Sequence, residues 1–218
     1  MTPGDERGDD PGDDRGLADA LTEADVGPEP MAQVMRWVDD ARAAGVRDWD
    51  AMVVATAGTD CVPSARVVLL RGLDEQGFCF YTNYESRKGR ELAESGHAAL
   101  VLYWREQGRQ VRAVGPVTQL APEQSRAYWD HRPIASRLSA WASRQSEPVA
   151  DRAALEHEVA EVAARFDGDD VPLPSFWGGY RITPDEVELW QRRDDRLHDR
   201  LVYRRDAGGA WVVTRLQP

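Results

Sequence analysis

The sequence predicts a mainly β protein, a β-barrel with peripheral α-helices, folded as one domain. A chain of 218 residues is long enough for one domain with a full core. From residue 51 onward, most apolar runs are short, rich in Val, Leu and aromatic residues, and bounded by turn residues. Helical patterns occur singly between these runs. Strands therefore dominate, and the helices are insertions at the periphery.

The first 30 residues are expected to form a disordered acidic tail. They contain ten Asp or Glu against two Arg, a net charge of −8, and are rich in Gly and Pro. The other 188 residues carry only −3 of the total charge of −11. The folded domain is therefore expected over residues 31–218, nearly neutral and able to form local cationic sites.

A helix and an antiparallel meander of strands are expected first within this domain. Apolar residues at helical spacing from Met31 to Ala41 predict a helix that Gly45 can end. Turn residues at 58–60 and 74–77 then separate short apolar runs. Strands are predicted at 51–56, 64–71, 78–82, 98–104 and 110–119.

Later helices are predicted from their end signals and their apolar stripes. Ser86 is typical of an N-cap for a short helix through Glu94, and Pro122 opens another that ends before Pro133. A further helix carries one apolar stripe, formed by Leu155, Val159, Val162 and Phe166. Residues 177–217 return to strands, the last at 210–216.

Composition excludes several classes of protein. Cys61 and Cys79 lack metal or redox spacing, so no disulfide framework and no metal site are expected. No apolar run approaches a membrane span, the acidic start is unlike a signal peptide, and a reducing cytoplasm is the expected location. The acidic total argues against nucleic acid as a partner. Because no Gly-rich phosphate loop is present, side chains must hold any phosphorylated ligand.

The segment 190–200 mixes cations, a histidine and a tryptophan in a region that otherwise reads as short strands. Arg196 and His198 are two apart, so in a strand both would face one side, with Arg200 at the next alternate position. Such a face suits an anionic planar ligand. A charged edge strand that resists aggregation is an equal alternative.

Other polar groups cluster along the chain. Arg66 and Arg71 flank an apolar strand, facing opposite sides unless one lies past its end. Adjacent cations at 87–88 oppose the dipole of a predicted helix, a cost that a bound anion would reverse, although a solvated helix start is the alternative. Three donors of the type that binds phosphate follow at four-residue spacing: Tyr128, Arg132 and Ser136.

Together these strings resemble the pyridoxamine/pyridoxine 5'-phosphate oxidases over residues 31–218. The matching strings are 66–71, 81–82, 86–88, 109–111, 132–133, 143–146, 171–180, 190–191, 196–200 and 215–218. The resemblance implies an antiparallel split β-barrel that forms a homodimer with FMN at the interface. It also implies hydride transfer from a phosphorylated pyridine substrate to flavin N5, with O2 reduced to H2O2 and pyridoxal 5'-phosphate as product.

The resemblance assigns roles by matching position. Those implied for FMN are Arg66, Val67, Leu69, Tyr81, Thr82, Arg87, Lys88, Gln110, Gln145, Ser146, Trp190 and Arg200. Those implied for the substrate are Arg71, Tyr128, Arg132, Ser136, Arg196 and His198. Arg196 and His198 are also the implied catalytic pair, with Arg196 as a positioning group because an arginine is a poor base at neutral pH.

Four departures from the family pattern bear on the substrate. Arg71 replaces lysine, Ile134 stands where a second arginine is common, residues 192–193 are both arginine, and the N-terminal segment lacks a basic aromatic lid. Strings at 88–92 and 102–106 resemble the flavin oxidases of phenazine biosynthesis, which take a larger unphosphorylated tricycle. Tyr128, Arg132 and Ser136 favour a phosphorylated substrate. A non-catalytic protein that binds flavin or pyridoxal phosphate is a third alternative.

Overall fold

The structure is a computed structural model that describes residues 20–166, 168 and 170–218. Over these residues the chain forms ten strands and five α-helices. The strands are β1 (Ala51–Ala57), β2 (Pro63–Leu69), β3 (Gly72–Asp74), β4 (Gly77–Asn83), β5 (His97–Trp104), β6 (Arg109–Gln119), β7 (Trp177–Ile182), β8 (Glu186–Gln191), β9 (Asp199–Arg205) and β10 (Trp211–Arg215). The helices are α1 (Pro30–Ala43), α2 (Arg87–Ser95), α3 (Pro122–Asp130), α4 (Ile134–Ala142) and α5 (Arg152–Ala163). The predicted mainly β class with peripheral helices is confirmed.

All strand pairs are antiparallel, and the sheet divides at β6. The first half of β6 pairs with β5 and β8, which gives the strand order β10-β9-β8-β6-β5-β1-β2. Residues 117–119, at the end of β6, pair instead with β7, and β7 pairs in turn with β4, which pairs with β3. At the division, a Cβ on Gly115 would overlap the carbonyl oxygen of Thr183, so only glycine fits there. The two parts of the sheet curl around a shared core into a half-barrel.

The main core lies inside this curl. Alternate residues of β1 and β5 point inward, as with Met52, Val54, Leu100 and Leu102, which are almost fully buried. A second, smaller cluster forms where α3 and α4 cover β7, around Trp129, Val171 and Trp177. This second cluster supports one wall of the candidate site.

The part of the chain that packs on the fold begins earlier than the sequence suggests. Leu21 is buried in the main core, and the Tyr203 hydroxyl donates to the carbonyl of Gly27 at 2.8 Å. Arg215 donates to both carboxylate oxygens of Glu23 at 3.0 Å. Residues 20–29 therefore pack on the sheet instead of extending the expected tail, whose residues 1–19 lie outside the described part.

Two local expectations need correction. Helix α4 was not foreseen, because Pro133 reads as a breaker; here it precedes the first helical residue, a position where proline is tolerated. Residues 192–198 form a loop between β8 and β9 instead of a strand, and Arg196 has a φ of 61°. The side chain of Asp195 accepts from the N–H of Leu197 at 2.9 Å, a local bond that competes with strand pairing. Across the described part of the chain, no helix is both long and apolar enough to cross a bilayer.

Candidate functional site

A cleft of about 1060 Å³ opens between β2, β4 and the helices α2 to α4. Thirteen of the residues predicted for a site line it. They are Arg66, Val67, Leu69, Arg71, Tyr81, Thr82, Arg87, Lys88, Tyr128, Arg132, Ser136, Gln145 and Ser146. The fold thus brings together groups that lie up to 80 residues apart, and it gives the cleft two cationic corners.

The first corner lies at the N-terminus of α2. The Ser86 hydroxyl caps the helix by accepting from the N–H of Gly89 at 3.3 Å. Lys88 is buried, and its ammonium donates to Thr82 at 3.0 Å, Ser86 at 3.2 Å and Gln145 at 2.8 Å. This corner is called the α2 corner below and consists of Arg66, Arg87 and Lys88.

Lys88 is the only lysine in the sequence. Burial, reinforced by the charge of Arg66, lowers the pKa of Lys88 from 10.5 to about 8, although Glu91 acts in the opposite direction. An anion in the cleft would favour the charged ammonium and relieve this cost. The α2 corner is therefore electrostatically prepared for an anionic group such as a phosphate.

A buried carboxylate, Glu91, holds the arginines of the α2 corner. Arg87 Nε donates to Glu91 at 2.7 Å and Ser64 Oγ donates at 2.6 Å, while the Thr56 hydroxyl donates to the same carboxylate. Burial would raise the pKa of Glu91, but the hydrogen bonds from Ser64, Thr56 and Arg87 outweigh it and lower the pKa to about 2. Glu91 is therefore ionised at neutral pH.

The second corner is formed by Arg71, Tyr128, Arg132 and Ser136 and is called the α3 corner below. Arg71 lies past the end of β2, and its Nε donates to the Tyr128 hydroxyl at 3.1 Å. Arg132 lies in the turn between α3 and α4 and donates to the Ser136 carbonyl at 3.1 Å. Its guanidinium lies over the ring of Trp177 at 4.6 Å, and burial lowers its pKa.

Aromatic rings form the floor between the two corners. The rings of Tyr81 and Tyr128 stack at 3.9 Å, and Trp177 stacks on both at 5.6 Å and 6.1 Å. Ile134, which departs from the family pattern, packs on the second core cluster beside this floor. The cleft thus offers flat apolar surface between two groups of cations, an arrangement suited to aromatic ligands with anionic ends.

Five predicted site residues do not line this cleft. Gln110, Trp190 and Arg200 are cross-strand neighbours on β6, β8 and β9, and Arg196 and His198 lie in the loop that follows β8. The ring of His198 lies 4.8 Å from that of Trp190. These five residues, called the β8–β9 group below, form a second cluster in the same chain.

His198 and Arg200 are each oriented by a specific contact. The backbone N–H of Arg193 donates to His198 Nδ1 at 3.0 Å, so a neutral imidazole carries its proton on Nε2. Arg200 forms a bidentate pair with Glu188, at 2.8 Å and 3.1 Å, and also donates to the Gln217 carbonyl at 3.0 Å. Glu188 is buried, whereas the side chain of Arg200 is partly exposed.

Sequence reasoning missed the carboxylates that support the cations. Glu91 follows Arg87 at the i+4 spacing of a helix, a signal that could have found it. Asp50 pairs with Arg71 and Glu188 with Arg200 through strand neighbours, which no local spacing reveals. Among the described residues, no group of three or more His, Cys, Asp or Glu is placed to hold a metal ion.

Comparison with protein families gives two adjoining matches. Residues 38–166 match the family described as pyridoxamine 5'-phosphate oxidase. Residues 177–218 match the pyridoxine 5'-phosphate oxidase C-terminal dimerisation region. The first match contains every residue that lines the cleft except Trp177, and the second contains Trp177, Trp190, Arg196, His198 and Arg200.

Individual relatives are similar over nearly the whole chain. The pyridoxine/pyridoxamine 5'-phosphate oxidase of Burkholderia multivorans is 51% identical over 201 residues, 91% of this chain and 94% of that protein. The protein of the same description from Rubrobacter xylanophilus is 51% identical over 198 residues, 91% of each chain. The crystal structure of PhzG from Burkholderia lata 383, in complex with tetrahydrophenazine-1-carboxylic acid, superimposes with a TM-score of 0.85 at 39% identity, covering 93% of this chain and 100% of that one.

Proposed function

This chain belongs to the pyridoxamine 5'-phosphate oxidase family of oxidoreductases, and on that premise we propose that it is an FMN-dependent oxidase of pyridoxine 5'-phosphate or pyridoxamine 5'-phosphate. The observation that carries the proposal is the pair of cationic corners in one cleft. A phosphorylated flavin and a phosphorylated substrate each need one anion site, and the cleft offers two. Pyridoxal 5'-phosphate is the product of this reaction.

The α2 corner fits the phosphate of FMN. The buried Lys88 ammonium and the guanidinium groups of Arg66 and Arg87 supply charge and hydrogen-bond donors. Tyr81 and Thr82 line the cleft beside this corner, with Gln145 and Ser146 on the facing segment. When bound, FMN supplies the acceptor for a hydride from the substrate, and O2 then takes up the electrons as H2O2.

The α3 corner fits the substrate phosphate. Arg71, Arg132 and the Tyr128 hydroxyl converge there, and Ser136 lies on the first turn of α4. When the phosphate is held there, the pyridine ring is fixed against the aromatic floor. Substrate binding thereby orients the ring for reaction.

A homodimer completes the site in this proposal. The β8–β9 group does not line its own cleft, and all of its members except Gln110 lie in the part of the chain that matches a dimerisation region. Exposed apolar side chains on the neighbouring strands, Val53, Val67, Leu69 and Tyr103, provide surface that a second copy would cover. Gln110, Trp190 and Arg200 of one subunit then surround the flavin held by the other.

The β8–β9 group also supplies the residues nearest to the reaction. Arg196 orients the substrate ring through its fixed positive charge. His198 presents Nε2–H because its Nδ1 accepts from Arg193, so it acts as a hydrogen-bond donor to the substrate.

A second candidate function is oxidation of a phenazine-type tricycle. It is favoured by the similarity to PhzG and by Arg192 and Arg193, which add bulk and charge beside His198. The curated relatives at 51% identity carry the pyridoxine/pyridoxamine description, and the α3 corner has four residues that can donate to a phosphate. The vitamin B6 substrates are therefore the first choice.

Two measurements test the proposal. Purified protein is expected to be yellow, with about one FMN per subunit, and to release peroxide with pyridoxine 5'-phosphate or pyridoxamine 5'-phosphate. Protein that neither contains nor binds FMN would refute it. Turnover of a dihydrophenazine carboxylate alone would select the second candidate, and FMN binding without turnover of any of the three would indicate a binding protein.

A further inference from the structure

Glu91 is a carboxylate that lies directly behind the cations to which the proposed function assigns the FMN phosphate. Its side chain is buried at the α2 corner, 3.5 Å from Arg66 and 2.7 Å from Arg87, yet it does not line the cleft. By charge alone, a carboxylate at this place repels a phosphate. A buried carboxylate with this cost calls for a compensating role.

The hydrogen bonds show how Glu91 could have such a role. Arg66 donates to the hydroxyls of Thr56 and Ser64, and both hydroxyls donate onward to one carboxylate oxygen of Glu91. Arg87 donates to the other oxygen. One carboxylate therefore fixes two arginines, Arg66 through a pair of hydroxyls and a longer direct bond of 3.5 Å, and Arg87 directly, in a connected network.

The geometry points to Glu91 as a positioning residue that holds Arg66 and Arg87 in the orientation that binds the FMN phosphate. This inference rests on the proposed function. Three cations and one carboxylate give the corner a formal charge of +2, which matches the charge of about −2 on a phosphate monoester near neutral pH. A long arginine side chain loses conformational entropy on binding, and Glu91 imposes that order in advance.

The two effects of Glu91 have opposite signs, which makes the inference testable. Glu91→Gln removes the negative charge and leaves one acceptor oxygen for three groups of donors. If charge dominates, the variant binds FMN more tightly; if positioning dominates, it binds FMN more weakly. We expect a loss of about tenfold or more in FMN affinity, the usual worth of a hydrogen bond to a charged group.

The experiment measures dissociation constants by quenching of flavin fluorescence, for FMN and for riboflavin, which lacks the phosphate. Glu94→Gln is the matched control, because Glu94 lies on the same helix but accepts from Thr59 outside the cleft. The expected result for Glu91→Gln is a tenfold loss for FMN with riboflavin affinity within about twofold of the wild type. Unchanged or tighter FMN binding would overturn the inference, as would an equal loss for both ligands.

Ser64→Ala provides a second variant should Glu91→Gln fail to fold. It removes one of the two hydroxyls between Arg66 and Glu91 and leaves the carboxylate and its charge in place. FMN affinity is again expected to fall, by about threefold to tenfold, with little change for riboflavin. If FMN affinity is unchanged in this variant, the inference fails. Wild-type protein that does not bind FMN would instead end the proposed function itself.

Discussion

Arg71 and Tyr128 meet in the cleft although 57 residues separate them in the sequence. The guanidinium Nε of Arg71 donates to the phenolic oxygen of Tyr128 at 3.1 Å. Because this oxygen already accepts from Arg71, its own proton is free to be donated toward a ligand. Arg71 is itself paired with Asp50, so the end of β2 and helix α3 hold each other in place at the α3 corner.

Arg132→Ala is expected to raise the KM for pyridoxine 5'-phosphate at least tenfold while changing kcat much less. A phosphate contact distant from the reacting carbon contributes binding energy to ground and transition states alike. Steady-state peroxide release measures both constants. Arg126→Ala is the control, because Arg126 lies on α3, just before the turn that holds Arg132, but is exposed and does not line the cleft. A KM like that of the wild type would remove Arg132 from the substrate site.

The lowered pKa of Lys88 predicts that FMN binding weakens in mild alkali. Below pH about 8 the ammonium is charged and binds the phosphate; above it, the free protein must take up a proton to bind. The FMN dissociation constant is expected to rise roughly fivefold to tenfold from about pH 7 to about pH 9. Riboflavin affinity should change little over the same range.

Lys88→Arg is the control for this pH dependence, because a guanidinium stays charged throughout the range. A slope that persists in this variant would assign the effect to another group. Since Lys88 is the only lysine, its titration can also be followed directly, as the one lysine signal beside that of the N-terminal amine, after reductive methylation with labelled formaldehyde. That signal should titrate near pH 8 without FMN and at a higher pH with it.

The same shift predicts a pH dependence of stability in the protein without FMN. The folded-state pKa of Lys88 is about 8, below its ordinary value of 10.5, so between these two values the unfolded chain binds more protons. The contribution of Lys88 to the free energy of unfolding therefore rises with pH across this window. Comparing urea unfolding of the wild type and Lys88→Met at several pH values isolates it; a difference that does not vary with pH would contradict the shift.

Much of the fold follows from local sequence patterns. Strands β1 and β5 alternate buried and less buried side chains, and Ser86 and Pro122 begin helices as their residue types indicate. Helix α4 and the 192–198 loop could not be predicted from local patterns, because in each segment two local signals favour different structures. At Pro133 the break is between two helices, and at Asp195 a side-chain bond to the backbone replaces strand pairing.

For the site, the sequence predicts which residues take part but not how they are arranged in space. Patterns identified Arg132 and Lys88 as candidates, and the family resemblance assigned them to ligands, but no spacing shows that they line one cleft. The supporting carboxylates were missed for the same reason. Asp50 precedes β1 and Arg71 follows β2, so the two residues meet only because β1 and β2 pair with each other. Which residues lie side by side there depends on the strand register.

Arg215→Gln is expected to loosen the N-terminal segment. Besides its two bonds to Glu23, Arg215 donates to the Leu21 carbonyl at 2.8 Å and to Asp199 at 2.7 Å, and Asp199 accepts from the N–H of Leu21 at 3.1 Å. Limited proteolysis should then cleave this segment faster than in the wild type. Arg204→Gln is the control, because Arg204 lies on the neighbouring strand β9 and its pair with Glu186 of β8 does not touch the N-terminal segment. Equal cleavage rates in the two variants would mean that Arg215 does not hold the segment.

Two variants that are impaired at pyridoxine 5'-phosphate concentrations below the wild-type KM are expected, when mixed, to regain activity under the same conditions if the site spans two subunits. Arg132→Ala damages the cleft, and His198→Asn damages the β8–β9 group, so each homodimer has two defective sites. In a mixed dimer, one site carries both substitutions and the other carries neither. Random assembly of equal amounts should yield about one quarter of the wild-type number of intact sites.

Combining Arg132→Ala with Lys88→Met, both in the cleft, should restore nothing, because every site then keeps one defect. Absence of recovery in the first mixture, with mixed dimers demonstrated by mass spectrometry, would show that each subunit builds its own site and that the β8–β9 group does not act on the partner's cleft.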